Sequence, residues 1–264
     1  MTPTRPIVNF AVNVHDWTEP EQASRAVVEL GRRIRCDFYV TEPVLRKLSH
    51  AAVAVLADDR HGLCYHTRPP HPSYQGFGSD VSPADAEEYH QDLRTGRFDR
   101  KKAGVYTYVA AMVGRLPMGV SVANAAAGVK GAYARCYAAM GAQMVVWSHP
   151  DKEIEPRWST REGMVVRPNE RLMLASWWSY PESLHLGPGF NAVVIHENNV
   201  YRQGPEGWQA VYAAKGPPWD LTKRYGTQDR DPGAILQRVE RLAAEADVWT
   251  VEDVVRAARR GGWR

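Results

Sequence analysis

Among its 264 residues the chain has only three cysteines, Cys36, Cys64 and Cys136, and no two of them form a C-x-x-C pair. That excludes cysteine-built zinc ribbons and dithiol redox motifs. Each thiol lies in an apolar stretch, so the expectation is a buried, reduced cysteine. No run of about 18 apolar residues occurs, so no membrane-spanning helix is expected. Formal net charge is only +3 and the basic residues are spread along the chain, so the basic stripe that nucleic acid requires is missing. Neither G-x-G-x-x-G nor the phosphate-loop pattern occurs, which argues against dinucleotide and nucleoside triphosphate sites. The first apolar segment, from Ile7, is too short for a signal-peptide core and is interrupted by Asn9 and Asn13. The expectation is a cytoplasmic protein with neither membrane nor nucleic acid as partner.

What the chain does have is core material: 44% of its residues are apolar and nine are Trp. Its length suits one α/β barrel, which typically needs about 250 residues, so 1–264 is read as a single domain. Strand and helix signals alternate. Ile7 to Val14 is a strand, with Asn9, Ala11 and Asn13 alternating against Val8, Phe10, Val12 and Val14. Glu19-Pro20-Glu21 and Glu42-Pro43 open helices. Asp37 to Val40, Leu63 to Tyr65, Val105 to Val113, Gln143 to Trp147, Ala192 to Ile195 and Val248 to Thr250 read as further strands. Ala123 to Met140, Pro232 to Ala246 and Val251 to Arg260 read as helices, and 148–168 and 198–230 as mostly loop. This order predicts an α/β protein, a distorted (β/α) barrel with about seven parallel strands.

Three of the nine histidines stand where a predicted strand ends: His15, followed by Asp16, then His66, and His196. In such barrels the strand C-termini share one face, and that face carries the chemistry. A carboxylate and two imidazoles are a ligand set for a divalent ion such as zinc, with a position left for water or substrate.

The order of segments resembles the polysaccharide deacetylase family, also called carbohydrate esterase family 4. The family's first-strand motif ends in two Asp residues; here the place reads Val12-Asn13-Val14-His15-Asp16-Trp17. Its H-x-x-x-H metal motif falls where this chain has His66-Thr67-Arg68-Pro69-Pro70-His71. Its R-x-P-x-G segment corresponds to Arg115-Leu116-Pro117-Met118-Gly119. Its strand ending in Trp and then an acidic residue corresponds to Gln143 to Trp147 and Asp151. Its closing L-x-H corresponds to Val194-Ile195-His196 after Gly187-Pro188-Gly189.

The resemblance covers residues 7 to 258 and implies a role for each matched position. Asp16, His66 and His71 would hold the metal, zinc being the expected ion. Arg115 would orient the catalytic carboxylate, and Asp151 would tune His196, the acid that protonates the leaving amine. His15 occupies the place of the family's basic Asp, and is a base, a metal ligand or a structural residue. Arg68, Trp17 and Trp178 are candidates for contacting substrate. The implied activity is metal-dependent hydrolysis of an amide C–N bond, with an amino sugar or another small molecule as substrate and a homo-oligomer as a compatible state. A barrel that keeps the pocket without the reaction, and binds a carbohydrate or small molecule, is the alternative.

Overall fold

The computed structural model describes residues 5–14, 20–40, 42–66, 106–122, 127–147, 159–168, 170–175, 184–196 and 232–261. Its centre is β1 (Ile7–Asn13), whose β-branched and aromatic residues suit a strand buried on both faces. β1 pairs in parallel with β9 (Phe190–His196) along its whole length, from Ile7 opposite Phe190 to Asn13 opposite His196. On its other edge the C-terminal half pairs with β2 (Asp37–Val40), and Ile7 and Val8 pair with β10 (Asp247–Val248).

The sheet continues from β2 through β3 (Gly62–His66), β4 (Gly119–Ser121) and β5 (Met144–Val146) to β7 (Met164–Val166). Beyond β9 it ends on β8 (Arg171–Ala175). β6 (Thr160–Arg161) makes the only antiparallel pair among the described residues, a hairpin with β7 turned by Glu162 and Gly163, both at positive φ. Along the path from β7 to β8, then, eight strands run parallel.

This sheet must curl. Laid flat, eight strands at about 4.8 Å spacing would put β7 and β8 about 34 Å apart. Yet only residues 167–170 join them, and that length of chain reaches about 17 Å at most. Alternate residues of each strand accordingly form two cores. Val8, Phe10, Val12, Phe38, Val40, Leu63, Tyr65, Val120, Val145, Val193 and Ile195 pack outward against the helices. Ile7, Ala11, Tyr39, Cys64, Met144, Val146, Phe190 and Ala192 pack inward on one another.

The outer layer begins with α1 (Pro20–Arg33), which carries Glu21 in its first turn and Arg32 and Arg33 in its last, as the helix dipole favours. α2 (Glu42–Leu45) and α3 (His50–Ala57) follow. Ser49 caps α3 by accepting from the backbone N–H of Ala52, and its own N–H donates to Ser24 of α1. α4 (Tyr106–Val113), α5 (Ala127–Ala139) and α6 (Pro232–Glu245) complete the layer. α7 (Val251–Arg259) behaves differently. Its buried Val251, Val254 and Val255 belong to the inner core, so it plugs the barrel at the N-terminal end of the strands.

Two sequence expectations are corrected, at Val105 to Val113 and at 148–168. The stretch read as a strand at Val105 to Val113 is helix α4 over its described part, with Val109 and Val113 buried one turn apart. The strand of that region is the three-residue β4. The segment 148–168 holds the β6–β7 hairpin, and β8 had no forecast at all. The parallel path of the described residues has eight strands, in keeping with the about seven expected. Cys36 and Cys64 are free and buried, as expected. No helix of the described residues is long and apolar enough to cross a membrane.

Candidate functional site

The C-terminal strand ends carry the candidate chemistry. His66 is the last residue of β3 and lies only 2% exposed, its ring edge-on to Tyr39 with centroids 6.3 Å apart. Its register partner on β4 is Ser121, and Ser121 pairs in turn with Val146 of β5. The backbone of Asn13 at the end of β1 pairs with Tyr39 on one side and His196 on the other. The fold thus brings His66, Asn13, Ser121 and the strand-end position of His196 to one face of the sheet.

His15, Asp16, Trp17, Arg68, His71, Asp151 and Trp178 lie outside the described residues. Of the three expected metal ligands only His66 is described. No group of three His, Cys, Asp or Glu side chains able to hold an ion occurs among the described residues.

Arg115 does not join this face. It precedes β4, at the strands' N-terminal end, where Nε donates to the Leu56 carbonyl at 3.0 Å and Nη2 to the His61 carbonyl at 2.5 Å. Glu252 of the plug helix stands 3.9 Å from Nη1. The expectation that Arg115 orients a catalytic carboxylate is corrected: it ties α3 and the start of β3 together beneath the barrel.

The lower interior holds polar residues that sequence reasoning gave no role. Asn9 Nδ2 donates to Asp37 Oδ2 at 2.7 Å and to the Trp249 carbonyl at 2.9 Å. Asp37 Oδ1 accepts from the backbone N–H of Val251 at 2.9 Å, so a carboxyl from β2 caps the first turn of α7. Burial raises Asp37 to about 7, against the lowering pull of the Val251 and Asn9 hydrogen bonds. Gly62 is obligatory beside it, because a Cβ there would stand 1.9 Å from Asp37 Oδ1. Thr250 and Asp253 form a capping box at the start of α7, and Arg35 clamps it by an ion pair to Asp253 at 2.6 Å.

Arg167, which follows β7, also points inward and reaches Asn9 Oδ1 at 3.5 Å. The signal for this cluster was the polar residue at an inward position of a strand, visible at Asn9. Asp37 and Arg167, at strand margins, carried no such signal.

Burial also lowers His61 to about 4, with Arg60 pushing the same way, so this histidine is a neutral packing residue set edge-on to Phe38. His185 is exposed.

A parallel α/β barrel, plugged at the strands' N-termini and carrying histidine at their C-termini, is the class that fold and site define. No protein-family model matches the chain, and no curated protein sequence matches it. Among solved structures it is similar to Puue allantoinase, with a TM-score of 0.52 and 11% identity over 96% of this chain and 91% of that one. At that identity the likeness concerns the fold, a (β/α) barrel.

Proposed function

We propose that this protein is a hydrolase of amide C–N bonds of the polysaccharide deacetylase kind, acting on an acylated amino sugar or another small amide. The observation that carries the reading is His66, buried at the C-terminal end of β3 on the same face as Asn13. His15 and Asp16 follow Asn13 in the chain by two and three residues. The barrel's likeness to an allantoinase supports it.

In this reading Asp16, His66 and His71 hold a divalent ion, with zinc as the expected one. Such an ion, when bound, supplies a water of lowered pKa and a Lewis-acid contact for the carbonyl oxygen. His15 accepts the proton of the attacking water, whose oxygen joins the carbonyl carbon. The C–N bond then breaks, and His196 gives its proton to the departing amine. The two imidazoles must begin in opposite protonation states, so a bell-shaped pH profile belonging to the pair is expected.

One observation favours the second reading, a barrel that binds without reacting: Arg115 lies at the wrong end of the strands for its family role. Elemental analysis of the purified chain, with assay of N-acetylated sugars and small amides on wild type, His15→Ala and His196→Ala, separates the two. About one ion per chain and loss of turnover in both variants support the hydrolase. A panel left intact with metal supplied sinks it.

A further inference from the structure

Between the mouth and the plugged floor, two interior side chains lack what their burial demands. Arg167 is 5% exposed, yet its Nε has no hydrogen-bond partner, and among the described residues the 3.5 Å contact with Asn9 is its single bond. No described carboxylate makes an ion pair with it. A buried guanidinium in that state is costly, because burial removes hydration that nothing replaces. Asp37, the interior carboxyl that feels its charge, has both oxygens engaged by Val251 and Asn9. Burial also raises it to about 7, so near neutral pH it is a full anion only part of the time.

The second side chain is Tyr39, 2% exposed, whose hydroxyl lies beside the Cys64 thiol and makes no full hydrogen bond. Arg167 reaches Asn9, Asn9 donates to Asp37, and Tyr39 follows Asp37 by two residues on the same inward face of β2, so the two groups share one part of the interior. The Tyr39 ring also touches His66, which puts the pair directly beneath the candidate catalytic face.

What is left over is therefore one positive charge with an N–H donor and an O–H donor. A water molecule would meet the donors and leave the charge. A carboxylate meets both, with an oxygen for each donor and a full negative charge.

We propose that Arg167 and Tyr39 form an inner anchor for a substrate carboxylate, so that the small amide cleaved at the mouth is an acylated amino acid or a related carboxylate-bearing amide. This rests on the hydrolase reading for the reaction, but the anchor is a binding site and is read by binding alone.

The test is calorimetric titration of the full chain with N-acetylglycine and N-acetyl-β-alanine, each against its uncharged carboxamide. The expected result is that at least one acid binds about tenfold or more tightly than its carboxamide, as a desolvated charge pair predicts. Arg167→Gln should erase that preference and Tyr39→Phe, which keeps the ring packing, should cut it severalfold. Where circular dichroism shows Arg167→Gln to be unfolded, Tyr39→Phe and Arg167→Lys decide, and a preference unchanged in both overturns the anchor. It is equally overturned if neither acid binds wild type, if acid and carboxamide bind alike, or if the preference survives Arg167→Gln. Acid preference without hydrolysis of any amide keeps the anchor and removes the hydrolase. Equal hydrolysis of neutral and acidic amides does the reverse.

Discussion

At the floor of the barrel, Asn9, Asp37, Thr250, Arg35 and Asp253 spend their hydrogen bonds on holding α7 in place. At the mouth, His66 is buried against Tyr39 while Asn13 and Ser121 stay half exposed, and no plug helix crosses them among the described residues. The same inward-facing strand positions thus do opposite work at the two ends. Polar residues at the bottom are consumed by folding, whereas those at the top are, in the proposed reading, left for a ligand, as parallel barrels generally arrange. A histidine in this chain is informative only once its end of the barrel is known. His66 and His61 flank the same short strand, and His61 is neutral packing at the floor.

This contrast can be broken by experiment. The largest effect is expected at the mouth, where His66→Ala should lower amide hydrolysis by about 10²-fold or more, with urea midpoints close to wild type. A variant that unfolds but keeps its specific activity would reverse the assignment of the two ends.

Next comes the pH dependence contributed by Asp37. Its carboxyl titrates near the ordinary 3.8 in the unfolded chain and at about 7 in the fold. Between those values the native state keeps a proton that the unfolded chain has lost. Its contribution is therefore greatest below about pH 4, falls as pH rises towards 7, and is flat above, by up to about 4 kcal/mol. Urea titrations of wild type and Asp37→Asn at pH 4.5 and 7.5 should show the fall in wild type alone; equal slopes would refute it.

Gly62→Ala should cost about 3 kcal/mol by overpacking against Asp37 and Val251, read as a lower Tm with kcat unchanged in the folded fraction. Smallest is Arg115→Ala, expected to lose about 1–2 kcal/mol through its two carbonyl partners. Its kcat/KM should stay at the wild-type value, and a large fall there would restore the family role to Arg115.

How much of this was legible beforehand depended on residue chemistry. β1, β2 and β9 were readable because Val, Ile, Phe and Tyr dominate them, and β3 because the apolar run Leu63-Cys64-Tyr65 follows Gly62. β8 reads Arg-Leu-Met-Leu-Ala, without a β-branched residue, and becomes a strand only by pairing with β9. α4 contains Tyr-Thr-Tyr-Val, which imitates a strand, but Val109 and Val113 face the helical layer and tertiary packing decides. The β6–β7 hairpin did have a signal, since Glu162-Gly163 between short β-prone runs is a two-residue turn that accepts positive φ. At the mouth, strand-end histidines could be picked out by position. The interior trio of Asn9, Asp37 and Arg167 could not, because its members meet across residues far apart in sequence.

The partnership of β1 has a consequence for how the chain acquires its structure. Ile7 and Val8 pair with Asp247 and Val248, and the helix that follows at once seals the interior. On the ribosome the central strand thus emerges 240 residues ahead of this neighbour, the separation between Ile7 and Asp247. Contacts of such sequence separation slow folding. Until they form, the inner faces of β1 and β9 are open to solvent, and apolar surface exposed in this way is prone to aggregation.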